Sequence, residues 1–567
     1  MEASRDTQRG MDDFLRQETG VLLLLKRLSS MVKNAHIKER QLLLLIMAVS
    51  TFLRFYQFPS LPAGLQWDEV SAAYESYALL LHGTDRWGNP FPVYFPSWGS
   101  GQNVLLSYLN IPFIAVFGLT AFGERFSSAL LGLLTIVVFY AFVKRWYGTR
   151  TALIAALLLG TNPWHIMASR WSLESNLLPP FLLFGIVCLS SCYTSKYTRL
   201  LMPFSLVFLA LAFYAYGVSI VIIPTFLVLY FAMIGLGTLR RNKSNTREKT
   251  WHNTFGILLS WLIFFLIASP FFVFILDNYI LHTTPSFVQH LPLTIPLLIS
   301  SRLAQVSDGQ NPLVENIQFL MHGLDDGQVW DIAGVYTPLG LLSLPLMALG
   351  VYYSIRTRQV HANLFLIWLV ATIPIFFLFP LDLSRANALY LPFIALSAIG
   401  ISGLYHSIDK KQTKLVIVSL VLAAVTLYNS MFCVYYFTIY NNDVKNTFNT
   451  GLDIVLTQAR SVAYPNEPVY VSHWITFSYV YTLFFLKADP LDFQKHARVI
   501  ASGGIYQVRN YRNYYFSSND PELTSAPTFV AIVKGNEHPY CDDSAVLYSE
   551  EDWAVVRCFN GLAKEAR

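Results

Sequence analysis

Eleven stretches of this chain are apolar over the length of a membrane crossing. A spanning helix needs about 20 mostly apolar residues, and residues 41–58, 126–143, 151–168, 177–193, 199–216, 217–239, 252–276, 336–355, 362–381, 388–406 and 415–440 qualify. In hydrocarbon every backbone N–H and C=O must find a partner within the protein, so runs of this length read as a helical bundle. Composition agrees. Apolar residues make up 54% of the 567 and charged residues 13%, against about 25% charged in a soluble domain. The net charge of +5 sits in short connections between apolar runs, which is a topology signal and not a nucleic-acid footprint.

Charge decides the expected sidedness. Basic clusters at Lys144-Arg145…Arg150, Lys196…Arg199, Arg240-Arg241…Lys249, Arg356…Arg358 and Lys410-Lys411…Lys414 occupy every second connection. The positive-inside rule makes these cytoplasmic, together with an N-terminal segment 1–40 that carries Lys33, Lys38 and Arg40. An odd number of crossings must then separate the outer loop after residue 58 from Lys144. The apolar segment 104–121, with Asn110 and Pro112, is expected not to cross fully. Eleven spans result, with twelve as the alternative. Residues 69–82 place Val70, Ala73, Tyr74, Tyr77 and Leu81 on one helical face and predict a helix lying on the bilayer. Residues 292–304 are read the same way.

After about residue 440 the apolar runs shorten to strand length at Pro468–Ser472, Thr528–Lys534 and Trp553–Cys558. Helical patterns lie between them at 451–461 and 475–487. The expectation is a transmembrane domain over 41–440 and a small extracytoplasmic α/β domain over 441–567. Cys541 and Cys558 are the cysteines of that domain. They are expected to form a disulfide if the strands near 545–548 and 553–558 are neighbours; two free thiols are the other reading.

The residues most suited to chemistry are Asp68 and Glu69, in Gln66-Trp67-Asp68-Glu69 just beyond the first span. Adjacent acids at a membrane edge are costly to desolvate and favour a polar cavity. A structural reading stands beside this one: Asp68 as the N-cap of the following helix, and Glu69 as its first-turn acid. The outer loops are poor in basic residues. Arg170 stands alone in 169–176, Arg302 in 277–335 and Arg385 in 382–387. A guanidinium forks two hydrogen bonds to phosphate oxygens, although snorkelling or structural pairing is the plain alternative for each. Glu174, Tyr214 and Tyr216 fall in predicted outer hairpins. No spacing indicates a metal box, so a divalent metal has no support in the sequence. No phosphate-binding loop, serine-hydrolase elbow or zinc-protease motif occurs.

Several short motifs, in order, resemble the GT-C superfamily of membrane glycosyltransferases. They are the Asp68-Glu69 pair, Trp87-Gly88-Asn89-Pro90-Phe91-Pro92, Ser169-Arg170 with Glu174, Phe213-Tyr214-Ala215-Tyr216-Gly217, Arg302-Leu303-Ala304-Gln305-Val306-Ser307, and Arg385-Ala386-Asn387 with Leu391-Pro392. The resemblance covers roughly 40–440, with Asp489-Pro490 beyond it. It is nearest to bacterial relatives of the dolichyl-phosphate-mannose–protein mannosyltransferases, with the lipid A aminoarabinose transferase close by. It implies a polyprenyl-phosphate-sugar donor, transfer on the outer face of the cell membrane, and Asp68 as the base. The acceptor, a hydroxyl on a glycan, lipid or protein, is left open. The function expected is inverting sugar transfer, with Glu69 orienting Asp68 or binding sugar hydroxyls, and Arg385 with Arg302 or Arg170 receiving the phosphate. The alternative is a lipid transporter or flippase. That class favours paired broken helices at the midplane and a repeat between halves; neither is visible.

Overall fold

The computed structural model describes residues 38–192, 198–240, 254–283, 292–300, 312–338, 340, 342–356, 363–502, 504–538, 541–550 and 552–560. All eleven apolar stretches contain helix, and the chain is a polytopic α-helical membrane protein with a terminal β-sheet domain. Among the described residues, five helices are long and apolar enough to cross a membrane: Ala121–Thr161, Glu174–Ser191, Gly256–Leu281, Asn387–Ser407 and Gln412–Thr438.

Several others are shorter, and at two places proline is the reason. It has no N–H to give and its ring clashes with the preceding turn. Pro374 separates Leu364–Thr372 from Ile375–Leu378. Asn162-Pro163 starts the short Pro163–Ala168 helix, whose first turn is capped by the Asn162 side chain. The 41-residue run Ala121–Thr161 is itself broken at Gly148, where φ is 82° and ψ 169°. That glycine lies within the basic connection expected between two spans.

The segment 104–121 forms the helix Leu105–Phe117, with Pro112 inside it. Its 13 residues reach about 20 Å, short of the ~30 Å hydrocarbon core. Asn110 Nδ2 donates to Glu124 O at 3.1 Å and ties this helix to the start of the next. Residues 292–300, expected to continue as an amphipathic helix, are instead irregular. Thr294 exchanges backbone hydrogen bonds of 3.0 Å with Pro90 and Val93, so the loop after residue 82 claims its backbone groups.

Within the bundle, Ser343–Arg356 lies directly against Asn387–Ser407 at small residues. A side chain at Gly350 would strike Leu396 O, and one at Gly400 would strike Leu346 O, which is how apolar helices approach closely in lipid. Two basic connections and the start of the first helix gather at one end. Lys144 pairs with Glu39 at the start of the first helix, and Arg150 and Lys414 both lie over the Tyr405 ring, at 4.0 and 4.7 Å.

The predicted surface helix is present as Trp67–His82. It is buried between the bundle and the terminal domain: Tyr74 OH donates to Ala488 O at 2.9 Å, and Tyr481 OH donates to Leu65 O at 3.0 Å. That domain holds one seven-stranded sheet: β1 (Val469–Val471), β2 (Ala497–Ser502), β3 (Ile505–Tyr511), β4 (Tyr514–Tyr515), β5 (Thr528–Lys534), β6 (Asp543–Glu550) and β7 (Trp553–Phe559), in the order β2-β3-β4-β1-β5-β7-β6. β1 is parallel to both β4 and β5; the other pairs are antiparallel. The helix Leu452–Val462 covers it with Leu452, Val455, Leu456 and Ala459, an i, i+3, i+4, i+7 stripe. Strands β2 to β4 were not expected from the sequence. β2 is one of the two edge strands, with Val499 and Ile500 exposed, so it lacks the buried apolar run that marked β1, β5 and β7.

Candidate functional site

Five loops predicted on one face come together around a polar cavity of about 250 Å³. The start of the Trp67–His82 helix supplies Gln66, Trp67 and Asp68. The 169–176 hairpin supplies Trp171, Leu173 and Glu174. Tyr216 comes from the next hairpin, Asp326, Gln328, Trp330 and Asp331 from the loop after Pro312–Met321, and Asp382 and Ser384 from the loop before Asn387–Ser407. Three indoles and five carboxylates thus face one space.

Asp68 is half-buried at the cavity wall. It is not the N-cap. Gln66 takes that place, its Oε1 accepting from Asp68 N at 2.7 Å, which leaves both Asp68 carboxylate oxygens for other partners. Trp98 Nε1 donates to Oδ1 at 3.1 Å, and Gln66 Nε2 reaches Oδ2 at 3.4 Å. Behind them, Gln102 Nε2 donates to Asp68 O at 3.1 Å, and Gln102 Oε1 accepts from Ser71 Oγ at 2.9 Å. Ser71 Oγ in turn accepts from Arg86 Nη2 at 2.5 Å. Arg86 forms a buried ion pair with Glu75, 2.8 Å from Nε to Oε1. Burial pushes the Glu75 carboxyl up to about 7, against the pull of Arg86.

Glu69 is fully buried and turned away from the cavity. Arg125 grips both its oxygens at 2.7 and 2.8 Å, and Ser172 N donates to Oε1 at 3.1 Å. Arg125 also donates to the carbonyls of Pro59, Pro62 and Gly64. The pair therefore locks the loop that leads into Asp68. With both oxygens taken, Glu69 has no place on a sugar hydroxyl.

The remaining candidates divide. Glu174 and Tyr216 line the cavity, and Glu174 Oε2 accepts from Asn103 N at 2.6 Å. Tyr214 does not line it; its OH donates to Ile267 O at 2.6 Å. Arg170 is wholly buried, and its guanidinium donates to the carbonyls of Leu53, Arg54, Gln57 and Leu61. These are orphan acceptors at the end of the first helix, where a cation is favoured, so both terminal nitrogens of Arg170 are engaged away from the cavity. Arg385 stands at the rim, next to the lining residues Asp382 and Ser384. It is paired with Asp382 at 3.4 Å and donates to Pro380 O at 2.6 Å. Arg302 lies outside the described residues. His165 Nδ1 sits 2.6 Å from Arg54 in the bundle. Among the described residues, no group of three or more His, Cys, Asp or Glu is placed to hold a metal ion. Cys541 and Cys558 are joined in a disulfide, with Cα atoms 5.7 Å apart.

Sequence reasoning missed Trp98, Gln102, Asp326, Trp330 and Asp331. The cluster Asp325-Asp326…Trp330-Asp331 was the available signal, with three acids and an indole within seven residues. Asp331 is almost fully buried and its Oδ1 has no hydrogen-bond partner. Burial, Asp326 and Asp382 together hold its carboxyl well above the usual range.

Residues 103–274 match the family model described as dolichyl-phosphate-mannose–protein mannosyltransferase. Over the whole chain the fold is similar to that of ArnT from Cupriavidus metallidurans. The apo structure superposes with a TM-score of 0.55 at 14% identity, covering 91% of this chain and 97% of that one. The structure bound to undecaprenyl phosphate gives 0.53 at 14% identity, covering 92% and 98%. No curated protein sequence matches the chain. The chain thus carries a partial match to the mannosyltransferase family model and shares the ArnT fold over most of its length.

Proposed function

We propose that this chain is an inverting glycosyltransferase that moves a monosaccharide from a polyprenyl-phosphate-linked donor to an acceptor hydroxyl at the outer face of the membrane. The observation that carries the reading is Asp68: a carboxylate at the wall of a cavity walled by Trp67, Trp171 and Trp330, in a fold shared with a protein that binds undecaprenyl phosphate. Indole faces and carboxylates suit the apolar faces and hydroxyls of a sugar ring.

In this reading Asp68 accepts the proton of the attacking hydroxyl as that oxygen bonds to the anomeric carbon. The bond from that carbon to the phosphate oxygen breaks, and the configuration inverts. The phosphate leaves as a weak base and needs charge stabilisation more than a proton. Arg385 at the rim is the candidate on the described residues, its pairing with Asp382 being exchangeable for a phosphate oxygen. Arg302 remains a candidate from the sequence alone, and Arg170 is assigned to the end of the first helix instead. The isoprenoid tail fits an apolar cleft of about 490 Å³ lined by Leu109, Phe113, Leu131, Phe181 and Phe208. Ser128 in that lining contacts Ser172 at 3.3 Å, one step from Glu69.

The test is Asp68→Asn, assayed with the sugar lipid identified by mass spectrometry of what co-purifies. Turnover is expected to fall at least ~100-fold with donor affinity kept; turnover near that of the wild type overturns the assignment.

A further inference from the structure

Trp98, which holds Asp68 Oδ1, is itself held by the terminal domain. Phe477 stacks on its indole with ring centroids 3.8 Å apart and planes within 16°. Tyr479 meets the same ring edge-on at 6.3 Å, and Tyr506 N donates to Trp98 O at 3.2 Å. From the bundle side, the Arg86 guanidinium lies 4.9 Å from the indole centroid. Phe477 has φ 55° and ψ 47°, the left-handed region that non-glycine residues rarely enter. A phenylalanine stays there when its surroundings over-determine it, and the stack on Trp98 is one such contact. An indole N–H points at a carboxylate oxygen only as well as its ring plane is fixed.

We propose that Phe477, on the terminal domain, is a positioning residue for Asp68, acting through the ring plane of Trp98. The inference rests on the reading of Asp68 as the base, but its geometry is independent of which sugar is moved. The terminal domain then has a task at the reaction centre: it sets the direction of the hydrogen bond on Oδ1, so that Oδ2 is presented to the incoming hydroxyl.

A hydrogen bond that aims a catalytic carboxylate acts on the chemical step more than on binding, so turnover and donor affinity are followed separately, with the sugar lipid that co-purifies. The full-length protein is used in detergent, as wild type, Trp98→Phe, Phe477→Leu, Phe477→Tyr and the double variant Trp98→Phe/Phe477→Leu. The carboxylates across the cavity (Glu174, Asp326, Asp331, Asp382), the Glu69–Arg125 pair and Arg86 with Glu75 are present in every variant, so their influence is common to all.

Turnover should fall roughly 10-fold in Trp98→Phe with donor affinity kept. It should fall in the same direction in Phe477→Leu and return to the wild-type value in Phe477→Tyr, which keeps the ring. Once the N–H is gone the stack has nothing left to aim, so Phe477→Leu should add no further loss on the Trp98→Phe background. Unchanged turnover in Trp98→Phe, or an equal loss from Phe477→Leu with and without the indole N–H, overturns the proposal. If Phe477→Leu does not fold, Phe477→Met takes its place in the same comparison. Full turnover in Asp68→Asn would overturn the reading of Asp68 itself, whereas loss of turnover in Asp68→Asn with none in Trp98→Phe would overturn the positioning role alone, so the two failures are separable.

Discussion

At Arg125, one buried guanidinium donates five hydrogen bonds: two to Glu69 and three to the carbonyls of Pro59, Pro62 and Gly64. Removing one partner of a buried ion pair strands the other charge, at a cost of about 3–5 kcal/mol. Glu69→Gln and Arg125→Met should therefore both lower the apparent Tm sharply, and should damage activity through loss of the folded loop. A Glu69→Gln protein with the Tm of the wild type would contradict this. Asp331 makes a prediction of opposite kind. Its folded carboxyl keeps a proton to higher pH than the unfolded chain does. The stability this contributes is fully present below the ordinary carboxylate value of ~4 and is lost as pH rises through the raised one. The apparent Tm of the wild type should fall relative to Asp331→Asn as pH rises from 4 to 8, and parallel profiles would show that Asp331 does not titrate there. Asp68 was legible in the sequence because it sits beside the end of an apolar run. Arg170 was legible only as a charge: whether its guanidinium meets a phosphate or four carbonyls depends on the chain that passes beside it.

Among the elements, the sheet is closed at one end by a covalent link. Cys558 is on β7 and pairs with Ser544 of β6, and Cys541 precedes β6 by two residues, so the disulfide ties the end of the domain's last strand to the start of the one before it. A bridge over 17 residues stabilises by ~3 kcal/mol on the chain-entropy model. Reduction, or Cys541→Ala with Cys558→Ala, should lower the unfolding temperature of the sheet, while the membrane helices keep their far-UV signal. Equal thermal profiles with and without dithiothreitol would refute the contribution. Helices were read well wherever the apolar run was long. They ended earlier than expected at Pro163 and Pro374, where the proline signal was present but outweighed by hydropathy. The irregular 292–300 segment was misread because its pattern is amphipathic, while its backbone is claimed by Pro90 and Val93, residues some 200 positions away in the chain.

For the molecule as a whole, the loops carrying Asp68, Glu174, Tyr216, Asp331 and Asp382 share one cavity, and the basic turns near Glu39, Gly148 and Tyr405 share one end. We propose, on the positive-inside rule, that this end is cytoplasmic and the cavity loops lie outside. Single cysteines at Asp325 and Asn519, both exposed, should react with an impermeant maleimide on intact cells, in a protein lacking Cys188, Cys192 and Cys433. One at Asp409 should react only after permeabilisation. Labelling of Asp409 on intact cells, with Asn519 protected, would invert the orientation and with it the outward-facing reaction.

Hydropathy and charge alone determined that this chain is a bundle of membrane helices with a strand-rich tail, and which loops share a face. Those properties are sums over many residues, so no single contact can overturn them. They also marked Asp68, because a charge at the edge of an apolar run is conspicuous without any knowledge of its neighbours. Only the tertiary structure decided that Glu69 belongs to Arg125, that Arg170 caps the first helix, that Asp331 lies across the cavity from Asp68, and that Phe477 reaches Trp98. Each of these is a choice of partner between segments far apart in the chain. It is made by close packing and by the cost of leaving a buried polar group unpaired, neither of which one segment's sequence contains.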